Sequence, residues 1–166
     1  VGSEMCIRDR ISVWDDEYGI SVHAKDQTTK ENISEILKGF QRDSESDGYE
    51  ILRVHGWDYV ELINTYLKAS EIARTEHVPI MIHVNELTQP QGHSTSGSHE
   101  RYKSTDRLKW EKSNDCNYKF REWIVSNDIA TDQDITAIER KIKKSVKEGK
   151  QKAWKDFCDP IKSEKQ

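Results

Sequence analysis

The segment that most restricts the fold is Pro79–Val84, "PIMIHV", apolar at every position but His83. A strand with one wet face alternates apolar and polar residues; one that does not alternate is covered on both sides, as in a parallel sheet. Six residues are too few for a buried helix. Tyr49–Val54, "YEILRV", reads as a second strand. Ile11–Trp14 and Tyr18–Val22 are short and β-rich, and bracket the acidic turn Asp15-Asp16-Glu17. Helices are expected between them. Thr28-x-x-Glu31 has the capping-box pattern, with Thr28 as N-cap, before Ile33, Ile36, Leu37 and Phe40 on one face. Asp58-x-x-Glu61 caps a second helix, with Tyr59, Leu62, Ile63, Tyr66 and Ala73 at helical spacing, stopped by His77 and Pro79. The order strand, helix, strand, helix, strand predicts an α/β fold: a parallel sheet with crossover helices.

Open sheets of this kind bind ligands beyond the carboxyl ends of their strands. Asp15–Glu17 and Gln89–Tyr102, "QPQGHSTSGSHERY", both follow strand ends. The second segment has nothing aliphatic to bury, so it is either a slack linker or is held by a ligand or partner. The two polar loops are expected to face one pocket.

Past Ser104 the pattern turns helical. Arg107–Val125 is predicted as one helix, with Trp110, Phe120, Trp123 and Ile124 buried. Thr131-x-x-Asp134 opens a long helix to Phe157, with a narrow stripe of Ile135, Ile138, Ile142 and Val146 and a solvated Lys/Glu face. The expected organisation is an α/β part over 11–104, a helical region over 105–158 and a linker or tail, "DPIKSEKQ", over 159–166. The opening "VGSEMCIRDR", residues 1–10, resembles a decapeptide of translated sequencing adapter found at the ends of metagenome-derived fragments, and is left out of the fold reading. The chain is expected to be the later part of a longer protein, opening inside a strand.

Charged residues make up 34% of the chain, yet 30 acids against 26 bases leave a net charge of only −4. No strong field points to nucleic acid or a membrane surface, and no run of 18 apolar residues points to a bilayer span. The three cysteines, Cys6, Cys116 and Cys158, form neither a disulfide framework nor a C-x-x-C pair. With no secretory h-region, a reducing cytoplasm fits best.

Asp15-Asp16-Glu17 offers three carboxylates of the kind Mg²⁺ takes, although on spacing alone an exposed acidic turn is the simpler account. His93, among Gly92, Ser94, Thr95 and Ser96, is a proton donor or a wet loop histidine. His83, inside an apolar strand, is expected to be a hydrogen-bonded core residue. No nucleophile elbow, Walker loop or dinucleotide fingerprint is present in the sequence.

Taken in order, "WDDEYGIS" (Trp14–Ser21), "VHGWD" (Val54–Asp58), "ARTEHVPIMIHVNELTQPQGHSTSGSHERY" (Ala73–Tyr102) and "KWE" (Lys109–Glu111) resemble the alpha subunit of the thiamine diphosphate-dependent 2-oxo acid dehydrogenases. This is the decarboxylating first component of those complexes. "GHSTS" points toward their branched-chain, 2-oxoisovalerate branch; a pyruvate- or acetoin-type relative is the alternative enzyme, and a non-catalytic interaction fragment the alternative of another class. The resemblance implies a partial transketolase-like fold, with thiamine diphosphate and Mg²⁺ as cofactors. It implies Asp16 as a side-chain metal ligand and Tyr18 as a main-chain metal ligand, with Tyr18, Ile20 and Ser94 at the cofactor. His93 is implied as the catalytic histidine of acyl transfer to a lipoyl arm, and Tyr102 as a loop-ordering tyrosine. The implied partners are a beta subunit or fused beta domain, a lipoyl-bearing acyltransferase and a small 2-oxo acid. Asp stands where the family has Asn at both 15 and 16, Trp14 where an arginine often contacts the diphosphate, and Gln89 where an arginine is usual.

Overall fold

The computed structural model describes residues 9–93 and 98–164. It divides into two compact units, Val1–Phe120 and Arg121–Gln166.

In the first unit the strands are β1 (Arg10–Trp14), β2 (Tyr18–Gly19), β3 (Val22–His23), β4 (Glu50–His55) and β5 (Ile80–Asn85). β1, β5 and β4 form a parallel sheet in that spatial order, with Ile11, Met81 and Ile51 in register across it. The "PIMIHV" segment is thus the central strand, buried from Ile80 to Val84 as its lack of alternation requires. Ile80, Ile82 and Val84 face a core completed by Val54, Ala69, Ile72 and Ala73. The last three belong to α3 (Tyr59–Thr75), which packs on that face. Met81, on the opposite face, lines an apolar cleft with Ile11, Val13, Ile33, Leu37 and Ile51.

β1 begins at Arg10, one residue before the apolar run, because a ladder is made by the backbone and takes any side chain at its rim. Tyr18–Val22 is not one strand. Ile20 has φ 61°, and the chain folds back there into the antiparallel pair β2–β3, Tyr18 opposite His23. A β-branched residue at positive φ is a genuine outlier.

The expected cap at Thr28 is displaced by four residues. Thr28 instead closes α1 (Ala24–Gln27), its N–H donating to the Ala24 carbonyl. Lys30 and Glu31 then turn through φ 60° and 63°, which no helix start allows. Asn32 caps α2 (Ile33–Ile36), and a 3₁₀ turn over Leu37–Phe40 follows. Asp58 caps α3 as expected, its carboxylate taking the Glu61 N–H at 2.9 Å. The Glu61 side chain turns to His55 rather than closing a reciprocal box.

Arg107–Val125 is also broken. α4 (Thr105–Ser113) and α5 (Cys116–Ser126) are separated at Asn114-Asp115. The Asn114 amide donates back to the Trp110 carbonyl, and the Asp115 carboxylate accepts the N–H groups of Asn117 and Tyr118. Such side chains offer the backbone local partners that compete with a continuous helix.

In the second unit α6 (Asp132–Ser163) opens with a full capping box between Thr131 and Asp134. Arg121 ties its first turns through Asp132, Glu139 and Thr136. The helix does not stop at Phe157. It runs through Pro160 to Ser163: the proline forfeits its own N–H bond and crowds the preceding turn, and the helix continues for one turn beyond it. No helix among the described residues is long and apolar enough to cross a membrane.

Candidate functional site

β1 and β5 are parallel neighbours, so the segments that leave them emerge side by side. The Asp15 N–H still donates to the Val84 carbonyl, and Leu87 N–H donates to the Asp15 carbonyl. Three residues of this edge have left-handed backbones: Glu17 at φ 66°, Ile20 at 61° and Glu86 at 56°. Strained backbone of this kind persists only where its surroundings over-determine it.

The three adjacent carboxylates do not converge. Asp15 turns inward: its Oδ2 accepts from His83 Nε2 at 3.0 Å and its Oδ1 takes the Glu17 N–H at 2.7 Å. His83 is fully buried, and its Nδ1 meets the Ser34 hydroxyl. The ring thus has a polar partner at each nitrogen. The expected core histidine is therefore there, and it also ties α2, β5 and the β1 turn together. The His83 hydrogen bond holds the Asp15 carboxyl below its usual value, against its own burial. Glu17 pairs with Arg107. Only Asp16 keeps its side chain within its own turn, where Oδ1 accepts the Tyr18 N–H at 3.1 Å.

Tyr18 stands at the centre of a cationic and aromatic cluster. Its ring lies 5.8 Å from that of Tyr102 and 5.1 Å from His23. Lys103 Nζ and the Arg107 guanidinium lie over it at 5.0 and 5.5 Å. Burial pushes its phenol above the usual value; Arg107 opposes this, while Glu111 and Glu17 add to it. Tyr18, His23, Tyr102 and Arg107 line a cleft of about 510 Å³ with Lys25 and Ser104 on its walls.

Beneath the cleft is a buried ion network. Glu111, 2% exposed, accepts from Lys103 Nζ at 2.7 Å and Arg107 Nε at 2.9 Å through Oε1. Its Oε2 is buried with no hydrogen-bond partner among the described residues. Arg107 also reaches the Asp16 carbonyl at 3.1 Å and the Leu87 carbonyl at 3.4 Å. Burial disfavours its charge, but Glu111 and Glu17 more than offset this and raise its pKa.

A family profile described as Dehydrogenase E1 component matches residues 12–161. The chain belongs to the dehydrogenase E1 component family. It is similar to the pyruvate dehydrogenase E1 component subunit alpha of Rickettsia typhi, 27% identical over 119 residues, or 72% of this chain and 36% of that protein. It is similar, too, to two Arabidopsis thaliana proteins. The 2-oxoisovalerate dehydrogenase subunit alpha 1, mitochondrial, is 27% identical over 87% of this chain and 29% of its own length. Subunit alpha 2, mitochondrial, is 31% identical over 79% of this chain and 26% of its own. The chain thus spans between 26% and 36% of the length of these three curated relatives. These relatives divide between pyruvate dehydrogenase and 2-oxoisovalerate dehydrogenase alpha subunits.

Of the residues expected to form this E1 chain's site, Asp16, Tyr18 and Ile20 lie in one turn and hairpin, with Tyr102 against Tyr18. His93 follows the turn closed by Gly92 N–H on the Gln89 carbonyl, and is exposed. Ser94 lies outside the described residues. The sequence reading assigned no site role to Lys103, Arg107 or Glu111. The available signal was the i,i+4 spacing of Arg107 and Glu111, which puts opposite charges on one helix face.

Proposed function

We propose that the protein carrying this chain is a thiamine diphosphate- and Mg²⁺-dependent 2-oxo acid dehydrogenase acting on a branched-chain 2-oxo acid. The observation that supports this reading is the meeting of the Asp15–Tyr18 turn and the segment after β5 at one carboxyl edge, in a chain of this family.

The Asp16 carboxylate and the Tyr18 carbonyl are hard oxygen donors and fit Mg²⁺ as part of its shell. That ion usually takes one or two carboxylates plus substrate phosphates rather than a protein cage. Ile20 offers main-chain groups to the cofactor from its exposed left-handed turn. Ser94 is assigned to the cofactor from sequence alone. When bound, thiamine diphosphate supplies the nucleophilic carbon and the electron sink for loss of CO₂. His93 acts later: its imidazole gives a proton to a sulfur of the lipoyl dithiolane as acyl transfer opens that ring. Its partners are accordingly a beta subunit or fused beta domain and a lipoyl-bearing acyltransferase. The branched-chain branch rests on Gly92–Ser96, "GHSTS"; the similarity to the Rickettsia subunit supports pyruvate as the second reading.

The test is His93→Ala in the full-length enzyme. An imidazole is the side chain best suited to give up a proton near neutral pH, and general acid catalysis contributes roughly 10²–10⁴-fold. Lipoamide-coupled turnover should fall by about that factor, while decarboxylation read with an artificial electron acceptor falls far less. Equal losses in both assays would place His93 earlier in the reaction or in the scaffold.

A further inference from the structure

Arg107 joins every part of the carboxyl edge, and nothing in the function above uses it. A guanidinium presents its N–H groups in a rigid planar fork. Here the fork is spread over three stretches of chain. Nε goes to Glu111 in α4, Nη1 to the Glu17 carboxylate, and Nη2 to the carbonyls of Asp16 and Leu87. Its flat face covers Tyr18, while the Trp110 ring lies 4.9 Å away. With 15% of its side chain exposed, Arg107 is anchored from below by Glu111, which Lys103 holds in turn.

We propose that Arg107 is a positioning residue for the divalent cation: it fixes the Asp16–Tyr18 turn in the shape that presents the Asp16 carboxylate and the Tyr18 carbonyl to one ion. The inference rests on the reading of those two residues as magnesium ligands.

Three features argue for it. The hydrogen bond to the Asp16 carbonyl fixes the peptide plane between Asp16 and Glu17, and Glu17 is the residue at φ 66°. Without an outside tether that turn relaxes, since the left-handed region is unfavourable for glutamate. The charge is also sorted. Arg107 takes Glu17 and His83 takes Asp15, so Asp16 is the carboxylate of the three that neither claims. Finally, Arg107 bonds the Leu87 carbonyl from the same nitrogen, so the turn and the segment leading to His93 share one tether. Lysine, a point charge on a flexible stem, does not reproduce a four-acceptor fork.

The experiment compares Arg107→Met, Arg107→Lys, Glu17→Gln and Asp16→Ala in the full-length E1 assembly. Mn²⁺ binding is titrated by electron paramagnetic resonance with thiamine diphosphate present, and amide exchange of Glu17, Tyr18 and Leu87 is followed without cofactor. Outer-shell groups that orient ligands are typically worth ~10–100-fold in metal affinity. Arg107→Met should weaken Mn²⁺ by about 10-fold or more, speed exchange at those three amides and leave the amides of β5 protected. Arg107→Lys should recover only a small part. Glu17→Gln, which keeps the fold's shape if Arg107→Met does not fold, should shift Mn²⁺ in the same direction by a smaller factor. If Arg107→Met lowers thermal stability but leaves Mn²⁺ affinity within about twofold while Asp16→Ala weakens it, the positioning role is overturned and the magnesium reading stands. If Asp16→Ala also leaves Mn²⁺ unchanged, both fall.

Discussion

Each end of the three-stranded sheet carries a charged cluster built round one arginine, and the two are made differently. At the amino end Arg42 bridges Glu50 at 2.7 Å and Glu76 at 2.6 Å, beside an open cleft of about 830 Å³. All three side chains there keep contact with water. At the carboxyl end Arg107 bridges Glu17 and Glu111, and Lys103 and Glu111 are shut off from solvent almost completely. Exposed pairs contribute little to stability. Buried pairs cost desolvation that their attraction barely repays, so they are weak evidence of stabilisation and better evidence of a shape being specified. The larger cleft is at the amino end, where Arg42 lines it with the carboxylates of Asp9, Asp43, Asp47 and Glu76, and it lies on the edge opposite to where open α/β sheets bind ligands. The specified edge is the one with the buried ion network and the family's expected site.

The sharpest way to break this contrast is Glu111→Ala. It leaves the Lys103 ammonium buried with its carboxylate gone. Losing one partner of a buried pair costs about 3–5 kcal/mol. Urea unfolding of the 166-residue chain should show a loss of that size, and Lys103→Met combined with Glu111→Leu should restore much of it. A loss below about 1 kcal/mol, the range of exposed pairs, would make the carboxyl cluster no different from the amino one.

An intermediate effect is expected at Asp15. Asp15→Ala leaves the buried His83 Nε2–H without its acceptor, which costs roughly 1–3 kcal/mol. The pH dependence has a definite sign. The folded carboxyl lies below its unfolded value, chiefly through the His83 hydrogen bond. Its contribution is therefore fully present above an unfolded pKa of about 3.9. It is lost as pH falls from there through the lower folded value. Asp15→Asn should flatten that part of the stability–pH curve. An unchanged acid limb would mean that the bond to His83 does not select the charged form.

What the sequence disclosed, and what it hid, follows the same division. The central strand was legible because Ile80, Met81 and Ile82 leave no polar face, and the caps at Asp58 and Thr131 because a cap is local. The cap at Thr28 misled because the same letters also close a short helix, and the two left-handed residues after it have no side-chain signature. Asp15, Asp16 and Glu17 are alike in the sequence and differ only in what lies opposite: His83, their own turn, or Arg107. Lys103, Arg107 and Glu111 carry no burial signal of their own, since the segments that close over Arg107 come from 20 to 91 positions away. Pairings at that range are set by the assembled sheet and have no local pattern.

The smallest effect is expected at Arg42, and it sharpens the comparison from the other side. Arg42→Met keeps most of the alkyl stem and removes both contacts at once. Glu50 and Glu76 stay wet enough to be hydrated on their own, so neither is stranded as Lys103 would be. Measured exposed pairs span about 0.2–1 kcal/mol, and the loss on Arg42→Met should fall within that range. It should also shrink with added salt, because screening over ~3 Å at 1 M ionic strength removes most attraction between exposed charges. The Glu111 effect should keep nearly its full size under the same conditions, since buried pairs are screened much less. Parallel urea titrations of the two variants at low and high salt put the contrast to the test. If Arg42→Met cost more than about 3 kcal/mol, in the range of a broken buried pair, or proved insensitive to salt, the amino-end arginine would be as structural as the carboxyl-end one. Burial would then no longer separate the edge that is shaped for chemistry from the edge that merely closes the sheet.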